Sequence, residues 1–320
     1  MFGDNMKNKM LLRVLRIAIC VMFLTVFIGF CTGCQNSGEH IPDPVVEEAP
    51  EINVSLPSED DCFAWEGNEI RALTEKGQGE KYIVVPQRAT KIRDEAFSKN
   101  TVLRTIGFQN QDIELGNNVF KECSFLAKVQ LPSNLDRVPD GTFQWCTSLE
   151  DADIPASVTE IGNEAFYQCV LLKKVSHGPA LEKIGNHAFQ ICNTLTSFDF
   201  TPEINSIGYY AFAYCRSLES VTLQSTELQE IEKATFAYCD ILRSVVIPEG
   251  VEKIGAEAFS DCPKLEEIQL PKSLAEIDKT AFGTLKLANP VVKKFKIIKD
   301  SYADIHFSEF AKQDDQVVHY

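Results

Sequence analysis

Positive charge is scarce in this 320-residue sequence. Against 46 Asp and Glu there are 31 Lys and Arg, a formal net charge of −15. Phosphate binding needs a basic face, so nucleic acid is excluded as a partner, and anionic membrane surfaces are disfavoured for the same reason. Long apolar runs are scarce too. One uncharged run, Ile17 to Phe30, has no successor, which excludes a membrane bundle in the rest of the chain. Common catalytic signatures are absent: no G-x-S-x-G, no H-E-x-x-H, no Walker A loop and no EF-hand spacing. Gly77-Gln78-Gly79 is two-thirds of a dinucleotide motif, but it sits between a candidate cap hairpin and the first repeat strand and reads as a turn. No cofactor is expected. With no spare catalytic domain, an enzyme or an accessory subunit of one is the least supported class. Disorder is excluded by what the chain does contain, 44% hydrophobic and 24% charged residues.

The first 33 residues read as an address. Lys7, Lys9, Arg13 and Arg16 precede the apolar run, the order of a secretory signal. The run ends in Thr32-Gly33-Cys34, which resembles a bacterial lipobox; Cys31 stands where that pattern usually has Leu. The resemblance implies cleavage after residue 33 and lipidation of Cys34. Two alternatives stand beside it. One is an uncleaved membrane anchor. The other is a redox Cys31–Cys34 pair, for which the local sequence supplies no folded βαβ scaffold. Cleavage leaves 27 bases against 45 acids. Residues 35–60 carry seven acids, no Lys or Arg, and prolines at 42, 44, 50 and 57. Such a segment buries no core and self-repels, so residues 34–61 read as an extended tether. The expected location is exported and held at the cell envelope, touching the membrane through the lipid alone.

A repeat dominates the rest of the chain. Phe stands at 97, 120, 143, 166, 189, 212, 236, 259 and 282, spaced by 23 residues with one step of 24. A small or β-branched residue precedes each. Three residues after it comes Cys123, Cys146, Cys169, Cys192, Cys215, Cys239 or Cys262, and six after it a Leu from Leu103 to Leu265. Ala, Phe and Cys at i, i+1 and i+4 predict one face of a short helix. Farther on the period changes to two, as in Val129/Leu131, Phe198/Phe200, Val221/Leu223 and Ile268/Leu270, which predicts a short strand buried on one face. A single unit cannot bury its inner side, whereas stacked units can.

The stretch 161–175 (IGNEAFYQCVLLKKV), repeated as IGNHAFQICNTLTSF and IGAEAFSDCPKLEEI, resembles the leucine-rich repeats of BspA-type (Treponema-type) bacterial surface proteins. The resemblance covers about residues 82–290. It implies an α/β leucine-rich-repeat solenoid of about nine 23-residue repeats with a parallel sheet on the concave face, and non-catalytic surface binding. Residues 62–81, with Glu66-Gly67-Asn68 between two candidate strands, read as an N-terminal cap hairpin. Residues 291–320 read as a C-terminal cap, with apolar Phe295–Ile298, a helix from Ser301 to Ala311, and Val317–Tyr320. Leu285 replaces the cysteine of the last unit.

Gly116, Gly162, Gly185, Gly208 and Gly255 share a column with Arg93, Pro139, Glu232 and Asp278. Proline locks φ near −65°, so that column demands no positive φ. His177 interrupts an apolar strand column beside Gly178 and reads as a local distortion or a satisfied, partly buried histidine. The cysteine column reads as buried free thiols, with disulfides or a metal as alternatives; Cys62 lies outside it.

Two surfaces remain for a ligand. The outward strand positions read Gly107, Gln130, Asp153, Ser176, Asp199, Thr222, Val246 and Gln269, with Thr105, Lys128, Asp151, Lys174, Ser197, Ser220, Ser244 and Glu267 two residues earlier, a polar face that either binds a ligand or is polar simply because it is solvated. The second is the column two residues after the Phe, where Trp145, Ile191, Tyr214 and Tyr238 either anchor a partner or pack at the core edge. A protein ligand on the sheet is the leading reading. Capture of a glycan or nutrient on the aromatic column is its rival.

Overall fold

The structure is a computed structural model and describes residues 60–283, 293–312 and 315–320. The leader, Cys34, most of the tether and Leu285 lie outside the described residues. From Tyr82 onward the chain coils about an axis of stacked phenylalanines. A typical coil adds a strand to a major sheet, a two-residue strand to a minor sheet, and a turn segment that carries the Phe.

The major sheet is parallel throughout and comes in three pieces. Tyr82–Val85, Thr105–Phe108 and Lys128–Val129 form the first. Asp151–Asp153 pairs with Lys174–Ser176 in the second. Ser220–Thr222, Ser244–Val246, Glu267–Gln269, Lys294–Ile297 and Gln316–His319 form the third. The strand expected at Phe198/Phe200 is missing. Both rings are buried as the alternation requires. However, the His177 ring reaches across by Nε2 to the Asp199 carbonyl at 2.8 Å and stacks on Phe198 at 5.1 Å between centroids. An imidazole thus takes an acceptor that a regular ladder offers to the backbone, and the sheet breaks there. The minor sheet runs through Lys91–Ile92, Glu114–Leu115, Arg137–Val138, Glu160–Ile161, Lys183–Ile184, Ser206–Ile207, Glu230–Ile231, Lys253–Ile254 and Glu276–Ile277, also parallel.

The expected short helix is a turn segment instead. In each of the eight coils from Phe97 to Phe259 two residues, one two positions before the Phe and one two after, lie in the left-handed region; Glu164 (φ 55) and Gln168 (φ 60) flank Phe166. The reason is in the hydrogen bonds. The N–H groups of Glu164, Phe166 and Gln168 donate to the carbonyls of Asn186, Ala188 and Gln190 in the next coil, at 2.9, 2.8 and 2.9 Å. Those groups join coils to one another and are not available to an intrahelical ladder.

All nine repeat phenylalanines are buried, none more than 2% exposed. Successive rings stand 5.1 to 5.6 Å apart, and Phe166–Phe189 is parallel to within 4°. A fully buried Phe stabilises by up to about 3 kcal/mol, so the column is a large part of the folding free energy. The cysteines lie alongside, all free and buried. Each Sγ–H donates to the carbonyl of the Phe one coil back, as Cys146 does to Phe120 and Cys169 to Phe143, both at 3.1 Å. The column glycines have ordinary negative φ, as the proline at 139 implies. Glycine is favoured there for space: a Cβ on Gly185 would sit 2.6 Å from the Asn163 amide nitrogen of the coil before.

Aromatic residues close both ends of the ladder. Phe63–Glu66 and Glu69–Leu73 form an antiparallel hairpin through Gly67 (φ 62), and Phe63 packs tilted against Phe97, 6.0 Å between centroids. Gly77-Gln78-Gly79 falls in a single helical turn, Glu75–Gly79, rather than a simple turn, because the Thr74 hydroxyl caps it by accepting from the Gly77 N–H. Cys62 is buried beneath this cap, its carbonyl accepting from the Thr74 N–H at 2.9 Å. At the other end Phe295, Phe307 and Phe310 cluster on Phe282. The expected helix from 301 to 311 is split at His306 into Tyr302–Ile305 and Phe307–Phe310, with Ser301 capping the first.

Candidate binding surfaces

On the major sheet the alternation sets which side chains can meet a ligand. In Asp151–Asp153 and Ser220–Thr222 the central residue is buried and both flanking ones are exposed. Gln130, Asp151, Asp153, Asp199 and Thr222 are exposed, and Ser176 is half-buried, its hydroxyl donating to the Asp153 carboxylate. Asp199 is displaced from the regular ladder by the break at His177. Thr105 and Gly107 depart from expectation, since both are buried. Their register explains it: Thr105 lies between the longer Tyr82 and Lys128, and Gly107 beside Val84. Among the described residues, Asp151, Asp153 and Asp199 form no ion pair.

On the turn segment Trp145, Tyr214 and Tyr238 occupy the left-handed position two after the Phe (φ 65, 63 and 61) and are half-buried. Tyr214 and Tyr238 lie face to face, 4.3 Å apart and 3° from parallel. Together with Tyr210 they cover Ala213, Ala234 and Ala237, a small apolar cluster separate from the main core. Burial pushes the Tyr238 phenol up to about 12, helped by the Tyr214 ring beside it, so its O–H remains a donor at any physiological pH. Trp145 meets Tyr167 edge to face at 6.0 Å.

The thiols are chemically quiet. Burial pushes Cys123 up to about 12, and raises Cys146, Cys169, Cys192, Cys215 and Cys239 as well, which withholds the reactive thiolate. Among the described residues no group of three or more His, Cys, Asp or Glu is placed to hold a metal ion.

A model of the BspA type leucine rich repeat region, in six copies, matches residues 77–196 and 159–289, about two thirds of the chain. The chain belongs to the BspA-type leucine-rich repeat family. Several solved structures are similar. A leucine rich cell surface protein of Faecalibacterium prausnitzii is 19% identical over 75% of this chain and 79% of its own, with a TM-score of 0.44. The leucine rich repeat protein of T. pallidum is 22% identical over 62% and 82%, also at 0.44. The pneumococcal vaccine antigen PcpA is 17% identical over 79% and 82%, at 0.40. No curated protein sequence matches significantly.

Two features of this BspA-type solenoid lie outside the sequence-based site assignment. One is the set of aromatics around the predicted column. His187 stacks on Tyr210 at 5.3 Å, and Tyr209 meets His187 edge-on at 4.8 Å. Their signal is the same 23-residue spacing, two and three residues before the Phe. The other is the first position of each minor-sheet strand. In register it reads Glu69, Lys91 and Glu114, then Arg137, Glu160, Lys183 and Ser206, then Glu230, Lys253 and Glu276. Signs alternate from Glu69 to Lys183 and again from Glu230 to Glu276, with neutral Ser206 between, and Lys91–Glu114 (2.6 Å), Lys253–Glu230 (3.1 Å) and Arg137–Glu160 (3.4 Å) are direct ion pairs. An open groove of about 550 Å³ along this face is lined by Lys91, Asp94, Asp112, Glu114, Asn134 and Arg137. Its charges are largely spent on each other, and Asn134 donates to Asp112 at 2.6 Å.

Proposed function

We propose that this BspA-type solenoid is displayed on the bacterial surface through a lipid on Cys34 and binds a protein ligand on the outer face of its major sheet, without catalysis. One observation carries the reading. The major sheet presents exposed Asp153 and Asp199 without a base beside them, whereas most of the minor-sheet column alternates in sign. Unpaired carboxylates on a rigid parallel sheet suit a ligand that brings Lys or Arg, which adds rate and specificity to the contact. The cell-surface description of the F. prausnitzii protein agrees with display. The glycan reading has less support. A sugar ring stacks on an open aromatic face, and the facing sides of Tyr214 and Tyr238 are already used against each other.

The test is affinity capture by the mature ectodomain from host-derived extracts, followed by mass spectrometry. Changing Asp153, Asp199 and Thr222 together to Lys should abolish capture of the principal ligand while leaving the thermal melt in place. Changing Trp145, Tyr214 and Tyr238 to Ser should leave capture intact. Loss only in the second variant would move the site to the turn face, and retention by both would remove the solenoid as the binding part. For the anchor, Cys34→Ala should release or misprocess the protein, and a native N-terminus lying elsewhere and free of lipid would refute that assignment.

A further inference from the structure

His177 stands in an apolar strand column, between Ile154 one coil before and Phe200 one coil after. Both of its ring nitrogens face backbone carbonyls. Nδ1 lies 2.9 Å from the Gly178 oxygen, and Nε2 lies 2.8 Å from the Asp199 oxygen. A carbonyl oxygen only accepts, and a neutral imidazole has one N–H and one lone pair. The neutral ring therefore serves one of these oxygens and turns its lone pair toward the other. Serving both takes two N–H donors, which only the imidazolium has. The other described histidines make no such demand. His306 and His319 each set one nitrogen against an acceptor, the Tyr302 carbonyl and the Asp304 carboxylate. His187 meets the side-chain amide of Gln190, which can turn to offer either a donor or an acceptor.

The two contacts have different reach. Gly178 belongs to the same coil as the ring, whereas Asp199 belongs to the next, so Nε2 ties two coils together where the major sheet breaks. On the other side the regular link persists, with the Ile154 N–H donating to the Ser176 carbonyl at 2.8 Å. The Phe198 ring stacks on the imidazole, and an aromatic face attracts a cationic ring more than a neutral one. His177 is half-buried, so solvent protons reach it. The charged side chains on the surrounding segments are Asp151 and Asp153 on the strand before, and Asp199 and Glu203 on the coil after. Its own coil adds Lys174 and Lys173, the latter paired with Glu150 at 2.7 Å.

We propose that His177 is a proton-operated joint in the major sheet. With the ring protonated, both carbonyls are bonded and the Asp199 backbone is fastened to the coil before it. Loss of the proton forces the ring to give up one bond, and the link across the break is then shared with Gly178 and loosens. The joint lies between Asp153 and Asp199, so the proton sets how firmly these two carboxylates are held relative to each other. That consequence for a ligand rests on the binding role proposed for the sheet, whereas the joint rests on the hydrogen bonds alone.

The experiment is NMR on the full-length chain without ligand, labelled in its histidine ring nitrogens and backbone carbonyl carbons, from about pH 5 to about pH 8, where histidines ordinarily change charge. The His177 signals are assigned by their loss in His177→Gln. At the acid end both ring nitrogens should carry protons. As one of these protons leaves, the carbonyl shifts of Gly178 and Asp199 should move in step with the ring, while those of Asp153 and Thr222 stay in place. His177→Gln keeps a donor but does not titrate, and should hold the Asp199 signal constant over the range. A lone pair on either ring nitrogen at pH 5, a ring still doubly protonated at pH 8, or a ring that titrates without moving Asp199 would each overturn the proposal. An Asp199 signal that still follows pH in His177→Gln would do the same. None of these results bears on whether the sheet binds a ligand, which the capture assay tests separately.

Discussion

The two sheets are built from the same coils in the same parallel register, yet they balance charge to different extents. On the minor sheet each exposed acid finds a base one coil away, from Glu69 and Lys91 to Lys253 and Glu276. On the major sheet Lys128, Asp151 and Lys174 alternate as well, the column is neutral at Ser197, Ser220 and Ser244, and opposite charges resume at Glu267, which pairs with Lys296 at 3.2 Å, while Asp153 and Asp199 stay without bases. Cross-strand opposite charges contribute modestly but fix neighbours in place. One face therefore helps hold the coils in order, and the other keeps low, polar side chains available to something outside the molecule.

The largest expected effect concerns the core beneath both faces. Phe166→Ala should cost about 3–5 kcal/mol through the cavity it leaves, and Phe63→Ala in the cap should cost less. Calorimetric melts decide this, and a harmless Phe166→Ala would mean that the column is no core. The thiols probe the same interior without mutation. Cys123, Cys146, Cys169, Cys192, Cys215, Cys239 and Cys262 should resist alkylation in the native state and react rapidly in denaturant. Non-reducing peptide maps showing them paired would contradict the S–H to carbonyl arrangement.

Equal charge changes on each face separate the roles of the two sheets. Glu160→Lys places a third base between Arg137 and Lys183, and should cost roughly 1 kcal/mol at low salt, with most of it recovered near 1 M. Asp153→Lys should move the melt by no more than about 0.5 kcal/mol. Equal penalties would erase the distinction between the faces. The smallest effect lies at the last described coil of the minor sheet. There the Thr280 hydroxyl and N–H hold the Asp278 carboxyl below its ordinary value. As pH falls below about 4 the unfolded chain takes up that proton first, so the stability this group contributes at neutral pH is lost through its lower folded value. Asp278→Asn should slightly flatten the acid limb of the melting temperature as pH falls below about 4, and an unchanged limb would show that the hydrogen bonds do not operate in solution.

Much of the architecture was legible because stacked coils repeat their demands every 23 residues: Phe, Cys and Leu recur where the core recurs. The turn segment was not legible as such. Ala-Phe-x-x-Cys has the spacing of a helical face, and residues such as Glu164 or Ile191 give no hint of positive φ. The bonds that impose it run between coils. The alternation at Phe198 and Phe200 correctly marked buried rings but not a ladder, because the disturbance comes from His177 in the coil before. At the surface, alternation identified the exposed Asp151, Asp153 and Thr222. It misjudged Thr105, whose burial depends on the length of its neighbours across the sheet. The charged column was in plain view but invisible until Glu69, Lys91 and Glu114 were set side by side.

That column also constrains how such a chain changes length. Losing the coil that carries Lys91 would bring Glu69 against Glu114, like against like. Losing the coils of Lys91 and Glu114 together would bring Glu69 against Arg137 and keep the alternation as far as Lys183. The sequence repeats every 23 residues, but from Glu69 to Lys183 the electrostatic pattern repeats every two coils. Insertions and deletions that preserve it come in pairs, so in this part of the molecule the heritable unit of growth is the doublet.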